Sequence, residues 1–546
     1  MQFVSNSWLP GHGNIRGVYF NRDRSVVAVT STFRLLTNPP ARASYGGQRL
    51  RHRVALYCPP ETKPFAVFDR LRYLVNDVAF HPSEPTVAIA TGSYDGGWLF
   101  EGELVVWDWE GERHSNKIGP IPAVERCKFS DDGFCIIALV RPWDEGLGEG
   151  DPFDIFYEVR ATYSSDVFGG DFDSGSIARQ ISEQAPLSAR DVESDPRFPS
   201  RVEDLDTTLR REFKLEGFKS RSPIWDVAWL GNDEIGIVHD DCQLEVLGSD
   251  GVCKQSFVGL GHGVQIFKRP CVLVHAVHYS EAAEYRSDRY SSHLLRYDGT
   301  ELCAVADFKG LFTFSVSRDG WILGRRDRTH RTPAEQDVIG DPSLGVWNKH
   351  DFGHYDVFNH FLRVDDSPYL FAVQGSPPTS HERKHVCEVS TDGSVRQLWS
   401  ILPETGDHAS HAMECAFGYL ADSLGEGMIV SGRHYNPNPS EPYSGFIYRK
   451  QLQDGKEVWR HKTKAGATTI KAIPRQEIIL VAFLNGEVAA IESGSGTILE
   501  WAEFRPDGEL SVVFSFDVSA ESIVFGTIDG RVGMLPVSDL LNSGIN

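Results

Sequence analysis

The sequence is short of positive charge. Its 546 residues carry 54 Lys and Arg against 76 Asp and Glu, a formal net charge of −22. A field of that sign repels phosphate backbones, so nucleic acid is not an expected partner. Cysteine is sparse: nine residues are scattered singly, with no adjacent pair and no C-x-x-C at zinc-ligand spacing. An odd, dispersed set offers no disulfide framework and reads as structural thiols in a reducing compartment. No apolar run reaches membrane-spanning length, and the opening MQFVSNSWLPGHGN has neither the basic nor the apolar region of a signal peptide. A soluble, cytoplasmic chain is expected. Helical periodicity is missing except between Ala178 and Phe213. G-x-S-x-G and Walker motifs are missing as well.

What is present is a repeat. From Val75 to Ile118, VNDVAF, TVAIATGS and GELVVWDWEGE are three short strands separated by turn residues, and RHSNKI follows as a fourth. A four-stranded antiparallel sheet of this kind cannot bury both faces alone, so it must stack on copies of itself. Units of this type begin near Ile15, Val75, Val124, Ile224, Val264, Leu311, Asn359, Met413, Thr468 and Leu510. That makes ten units of about 55 residues each. Their turns share one chemistry: Asp-Gly recurs after Asp131, Ser249, Tyr297, Arg318, Thr391, Gln453, Pro506 and Ile528. Glycine there supplies the positive φ that a tight turn needs. The expected fold is all-β, a propeller of seven to ten four-stranded blades over residues 1–546, as a single ring or two fused propellers. The segment QFVSNSW at the N-terminus is expected to complete the last sheet, which has only the three strands LSVVFSFDV, SIVFGTI and RVGMLPV.

The unit VNDVAFHPSEPTVAIATGSYDG…GELVVWDWEGE resembles a WD repeat, with Trp107-Asp108 ending its third strand. The stretch EIILVAFLNGEVAAIESGSGTILEW, Glu477 to Trp501, and DGKEVW, Asp454 to Trp459, resemble quinoprotein-like repeats. The resemblance implies the propeller fold and is nearly silent on function. The quinoprotein dehydrogenases would imply a secreted protein with adjacent cysteines, which this sequence does not have.

With the strands of a unit called a to d from the inside outwards, the a–b and c–d turns are mostly tight, whereas seven b–c connections are long. Insertions on one face of a repeat array mark its working face. These connections carry the Trp, Tyr and Arg that dominate interface hot spots. We single out Trp98, Leu99 and Phe100 at a hairpin tip, Trp143, Tyr435 and Tyr443 as partner-binding candidates, with Arg383 and Lys384 as surface charges. The competing reading is that these loops fold over the propeller and bury their own aromatics. A Ser- and Asp-rich insertion at 164–222, in the c–d position of the third unit, reads as a solvated loop or a docking arm on the opposite face.

No residue is assigned to catalysis, a cofactor or a metal. His275 and His278 should point to opposite faces of a strand. His239-Asp240-Asp241-Cys242 reads as a turn before it reads as a metal cluster, and His381, His385, His408 and His411 lack a second element of fixed spacing. The basic strings RRDRTHR and HERKH read as solvated loop faces. The function expected is that of a non-catalytic scaffold holding a protein partner. The alternative is an enzyme or small-ligand binder with carboxylates at the channel mouth, glycosidase-like or lyase-like. Three or more convergent carboxylates in a deep axial pocket would favour the alternative, and an apolar, Arg-rimmed loop surface the scaffold.

Overall fold

A computed structural model describes residues 1–538 except 6–8, 10, 13, 33–51, 72, 95–99, 120–121, 143–152, 165–173, 194, 199–200, 216–221, 232, 281–288, 327–336, 344, 353–363, 375–383, 403–411, 435–442, 444, 474–476 and 509. Among them the chain forms an all-β, multi-bladed propeller architecture. Nine antiparallel sheets have four strands and one has three, with strands in chain order except that the N-terminal strand joins the last sheet, and a two-stranded ribbon is added. The inner strand expected near Asn359, in the three-stranded sheet, lies outside the described residues.

The local reason for these strands is their composition. The inner and second strands are rich in β-branched and small residues that are buried on both faces; Val27–Thr32 and Thr86–Thr91 are buried throughout. The outermost strands, such as Arg113–Ile118 and Val395–Ser400, carry charged and exposed residues. The eight Asp-Gly turns named above place glycine at positive φ, from +68° at Gly455 to +103° at Gly299.

The chain divides into two compact units. One, within residues 8–221, holds the first three sheets. Their inner strands are Asn14–Phe20, Val75–Phe80 and Val124–Phe129. Ala28, Leu56 and Trp107 join the first and second sheets in one buried cluster, and Leu104, Val124 and Val159 join the second and third in another. Among the described residues three α-helices belong to the insertion of the third sheet: α1 (Ser174–Ser182), α2 (Ala189–Glu193) and α3 (Leu205–Phe213). The insertion is packed, and the solvated-loop expectation is corrected. Ile177 and Ile181 of α1 enter the core of the third sheet, Val192 and Phe198 pack on Phe156, and Leu209 and Phe213 of α3 pack with Val27 and Tyr57. Between its helices Leu187–Ser188 supplies the fourth strand.

The other unit, chiefly residues 1–7 and 222–546, holds seven sheets. Buried clusters join consecutive sheets from the fifth onwards: Phe267 with Phe314, Leu323 with Ala372, Val373 with Met428, Ile447 with Val481, and Leu480 with Phe525. Val227 and Ile237 of the fourth sheet pack with Val524 and Val532 of the last, so the first and last sheets of this unit share a core. Two aspartates stitch this junction. Asp226, 1% exposed, accepts from Ser515 Oγ of the last sheet and, at 2.7 Å, from the backbone N–H of Ile266 in the fifth. Asp517 accepts from the Trp229 N–H at 2.8 Å and from Lys268 Nζ at 2.7 Å. As expected, the N-terminal strand Gln2–Ser5 completes the last sheet by pairing with Val532–Pro536. Phe3 sits edge-on to Phe525 at 6.0 Å, and the Arg531 guanidinium lies 4.6 Å from the Phe3 ring centroid. Gly251 (φ +81°) meets this strand so closely that a Cβ there would stand 1.7 Å from the Val4 carbonyl oxygen.

A buried ion pair within the eighth sheet is bonded to Ser493 of the ninth. Arg449, wholly buried, donates to both oxygens of Asp422 at 2.7 and 2.8 Å and to the Ser493 carbonyl at 2.8 Å. Burial alone would raise the pKa of Asp422, but Arg449, Ser493 and the Leu424 N–H outweigh it and hold the carboxyl below its ordinary value.

Two outcomes are expected. Asp422→Asn strands the Arg449 charge and should cost about 3–5 kcal/mol in urea unfolding. Because the folded-state pKa of Asp422 is lowered, its stabilisation is present above the ordinary carboxylate range and is lost as pH falls through the folded value. The mutant's deficit should therefore be largest near neutral pH and shrink below pH ~4; a deficit that does not change with pH argues against the ion pair. Deleting Met1–Ser5 removes the burial of Phe3 and Val4 and should lower the melting temperature of the seven-sheet unit by several degrees in calorimetry; an unchanged transition would contradict the pairing.

Candidate functional site

The three-sheet unit contains a cavity of about 1280 Å³. Its wall is made by the ends of the three inner strands and the turns that follow them, including Asn21–Arg24, His81-Pro82 and Ser130-Asp131, and by Arg197, Arg201, Val202, Thr208 and Arg211 of the insertion. The inner strands are held together here by polar bonds. Asp77, 4% exposed, accepts from Arg126 Nε at 2.9 Å and from the Cys127 N–H at 3.1 Å. Asn76 Nδ2 donates to the Val124 carbonyl at 2.9 Å, and Tyr19 Oη donates to the Asn76 carbonyl at 3.2 Å. Burial raises the pKa of Asp77 against the pull of Arg126, and burial, reinforced by the Asp77 charge, pushes the Tyr19 hydroxyl and the Cys127 thiol up as well.

The insertion is anchored where it meets the cavity. Asp204 caps α3, accepting from the Thr207 N–H at 2.9 Å, and Lys214 closes the helix in the left-handed region (φ 54°). Phe213 stands edge-on to Tyr57 at 5.3 Å, and Glu212 pairs with Arg24 at 2.5 Å. On the other flank Arg197 pairs with Glu158 and Asp195, both at 2.6 Å, and Arg201 with Glu125 at 2.7 Å.

The result is a cavity lined by six cations, Arg22, Arg24, Lys128, Arg197, Arg201 and Arg211, and three carboxylates, Asp23, Asp77 and Asp131. Four of the cations have carboxylate partners. Arg22 and Lys128 form no ion pair with a described residue, although Lys128 Nζ lies 6.0 Å from the Phe198 ring centroid. Two of the carboxylates are engaged: Asp23 accepts from the Ser25 hydroxyl at 2.7 Å, which holds its pKa below the ordinary value, and Asp77 is bonded across the strands. In a chain of net charge −22 six of the nine charged residues lining this cavity are cations, four of them neutralised by Glu125, Glu158, Asp195 and Glu212 behind the wall. Sequence reading missed it because its residues come from three turns and an insertion that looked acidic. The one available signal was the clustering of Arg197, Arg201, Arg210 and Arg211 among the insertion's acidic residues.

The candidates drawn from the long connections fare differently. Trp98, Leu99, Trp143, Tyr435 and Arg383 lie outside the described residues, as do His381, His408 and His411. Phe100 is 4% exposed rather than at an open tip: it packs at 5.1 Å on Phe153, with the Arg141 guanidinium 5.2 Å from its ring centroid. Tyr443 is 44% exposed. Lys384 is 2% exposed, so the expectation of a surface charge is corrected. Arg325 and Arg326, which open the string RRDRTHR, are likewise buried at the end of a strand, Arg325 bonding Gln374 Oε1 at 2.9 Å; the solvated-face reading does not hold for them. His275 is fully buried, edge-on to Phe314 at 4.8 Å, and burial pushes its pKa down to about 3, a neutral core imidazole.

Phe100→Ala should therefore act on stability, at about 3–5 kcal/mol in denaturant unfolding, because it leaves a cavity beside Phe153 and Arg141. A variant as stable as the parent would return Phe100 to the set of exposed contacts. Compared with models of protein families and with curated proteins, the chain matches none of them.

Proposed function

We propose that the protein is a non-catalytic interaction module whose cation-lined cavity receives an acidic segment of a partner protein. The observation that carries this reading is the presence of Arg22 and Lys128, which form no ion pair with a described residue, on the lining of a cavity of about 1280 Å³. Small-molecule pockets span about 300–1,000 Å³, so the volume suits a stretch of polypeptide. Two cations without carboxylate partners among the described residues, at the rim and on the wall, supply charge that the fold itself does not consume. Carboxylate chemistry of the glycosidase kind finds less support, since two of the three carboxylates serve the fold.

Other features accord with this reading. In the second sheet Trp107 is buried against Phe68, ring centroids 5.4 Å apart, and Asp108 accepts from the Gly111 N–H at 2.9 Å and pairs with Arg113 at 2.7 Å. A fixed turn after the third strand supports the WD-type reading of that repeat. No helix among the described residues is long and apolar enough to cross a membrane. The cysteines Cys58, Cys127, Cys135, Cys242, Cys253, Cys271, Cys303 and Cys387 are free thiols, in keeping with the reducing, cytoplasmic setting of this proposal. The long b–c connections, with Tyr443 exposed on one of them, form a second contact region.

The test uses a fluorescein-labelled deca-glutamate peptide and the full chain. Binding measured by anisotropy should weaken with added salt. The Arg22→Glu, Lys128→Glu double variant, which breaks no ion pair with a described residue, should lose at least about tenfold in affinity, or about 1.4 kcal/mol. The same variant should lose the acidic partner in affinity purification from the native host. Equal binding by parent and variant would sink the proposal. Tight binding of pyrophosphate with none of the peptide would replace the acidic segment with a small anion.

A further inference from the structure

The b–c connection of the fourth sheet, between Glu234–His239 and Cys242–Gly248, is the turn Asp240-Asp241. It brings together three donor atoms of different chemistry. His239 Nε2 lies 3.0 Å from Glu245 Oε2 and 3.1 Å from Cys242 Sγ, and the three atoms all fall within 4.8 Å of one another. Among the described residues this is the one group of three or more His, Cys, Asp and Glu so arranged. His239 is 5% and Cys242 2% exposed, and the Glu245 side chain is 13% exposed. Strict strand alternation would send residues 242 and 245 to opposite faces. The pairing slips between Ile237 and His239, and the three side chains converge.

We propose that this trio binds one zinc-class divalent ion: Cys242 as thiolate, His239 through Nε2 and Glu245 through its carboxylate. Tetrahedral zinc at ordinary bond lengths sets such donors about 3.4–3.6 Å apart. The two spacings from Nε2, 3.0 and 3.1 Å, need to open by only about 0.5 Å to admit it. Thiolate, imidazole and carboxylate together select zinc over calcium or magnesium. The turn's own carboxylates have other bonds: Asp240 accepts from Trp225 Nε1 at 2.7 Å, and Asp241 from Ser222 Oγ at 2.9 Å. The fourth position therefore goes to water. Asp241 Oδ2 is also 3.6 Å from His239 Nδ1, the side from which a carboxylate orients a metal-bound imidazole. The Asp241 backbone nitrogen lies 3.3 Å from Nδ1. Binding requires Nε2 without a proton and Cys242 as thiolate, and the protons displaced go to solvent. The site belongs to the seven-sheet unit and does not rest on the cavity of the other.

The test strips the full chain with chelator and titrates it anaerobically with Co²⁺. A one-to-one complex is expected, with a thiolate-to-cobalt charge-transfer band in the near ultraviolet that Zn²⁺ abolishes. Cys242→Ser should remove the band, while Cys253→Ser and Cys303→Ser, at exposed cysteines, should leave it intact. Glu245→Gln should keep the band and weaken Co²⁺ binding at least about tenfold. The proposal is overturned if the parent chain, folded by circular dichroism, shows no thiolate band, or if the band survives in Cys242→Ser or disappears in Cys253→Ser. Should Cys242→Ser fail to fold, Glu245→Gln and His239→Gln decide the matter: unchanged cobalt affinity in both overturns it.

Discussion

A buried carboxylate that accepts a backbone N–H from the inner strand of the next sheet is the interaction on which the stacking depends. Apolar faces alone would press the sheets together without fixing their register, because hydrophobic contact has no direction. Asp77, Asp226 and Asp517 supply direction. Each is nearly out of water, so a sheet displaced by one residue would leave the charge unsatisfied, at a cost of several kcal/mol. The cavity inherits its shape from this device. Its wall is cut by the inner strands that Asp77, Asn76 and Tyr19 bind to one another, and the turns that carry Arg22, Arg24 and Asp131 leave from the ends of those strands.

The sheet series was legible in the sequence for a physical reason. A tight turn needs positive φ, glycine provides it, and the eight Asp-Gly turns named above have it. The N-terminal strand was legible because three strands in the last unit left an edge to cover. Burial at loop bases was not legible. Phe100, Lys384 and Arg325 stand in stretches whose composition says surface, yet their positions at strand ends put them inside. The insertion misled for a related reason. Its polar residues lie on the outer sides of short helices, while Ile177, Ile181, Leu209 and Phe213 are spaced to face the sheets. The metal-class trio escaped because strand alternation predicts divergence, and only the slip in pairing at His239 makes the side chains converge.

Charge is organised on two scales. Over the whole chain carboxylates predominate, which keeps polyanions away at long range but fades beyond about 8–10 Å at physiological salt. Inside the cavity Arg22 and Lys128 present positive charge that no described carboxylate pairs with. An acidic segment arriving there would feel repulsion on approach and attraction on contact, an arrangement that favours partners already brought near by other contacts over free polyanions.

The strand Gln2–Ser5 pairs with Val532–Pro536, although these segments stand at opposite ends of the sequence. During synthesis the first strand leaves the ribosome long before its neighbour exists. At about 5–20 residues per second the wait is roughly 25–100 s. The three-sheet unit is made entirely within that interval, so it can fold while the seven-sheet unit still lacks an outer strand. Throughout, Phe3 and Val4 remain an apolar stub in water and the last sheet an open edge to come, the combination that chaperones recognise and that invites exchange of strands between neighbouring copies. The same pairing sets Gln2 opposite Met534 and so holds segments more than 500 residues apart in one sheet.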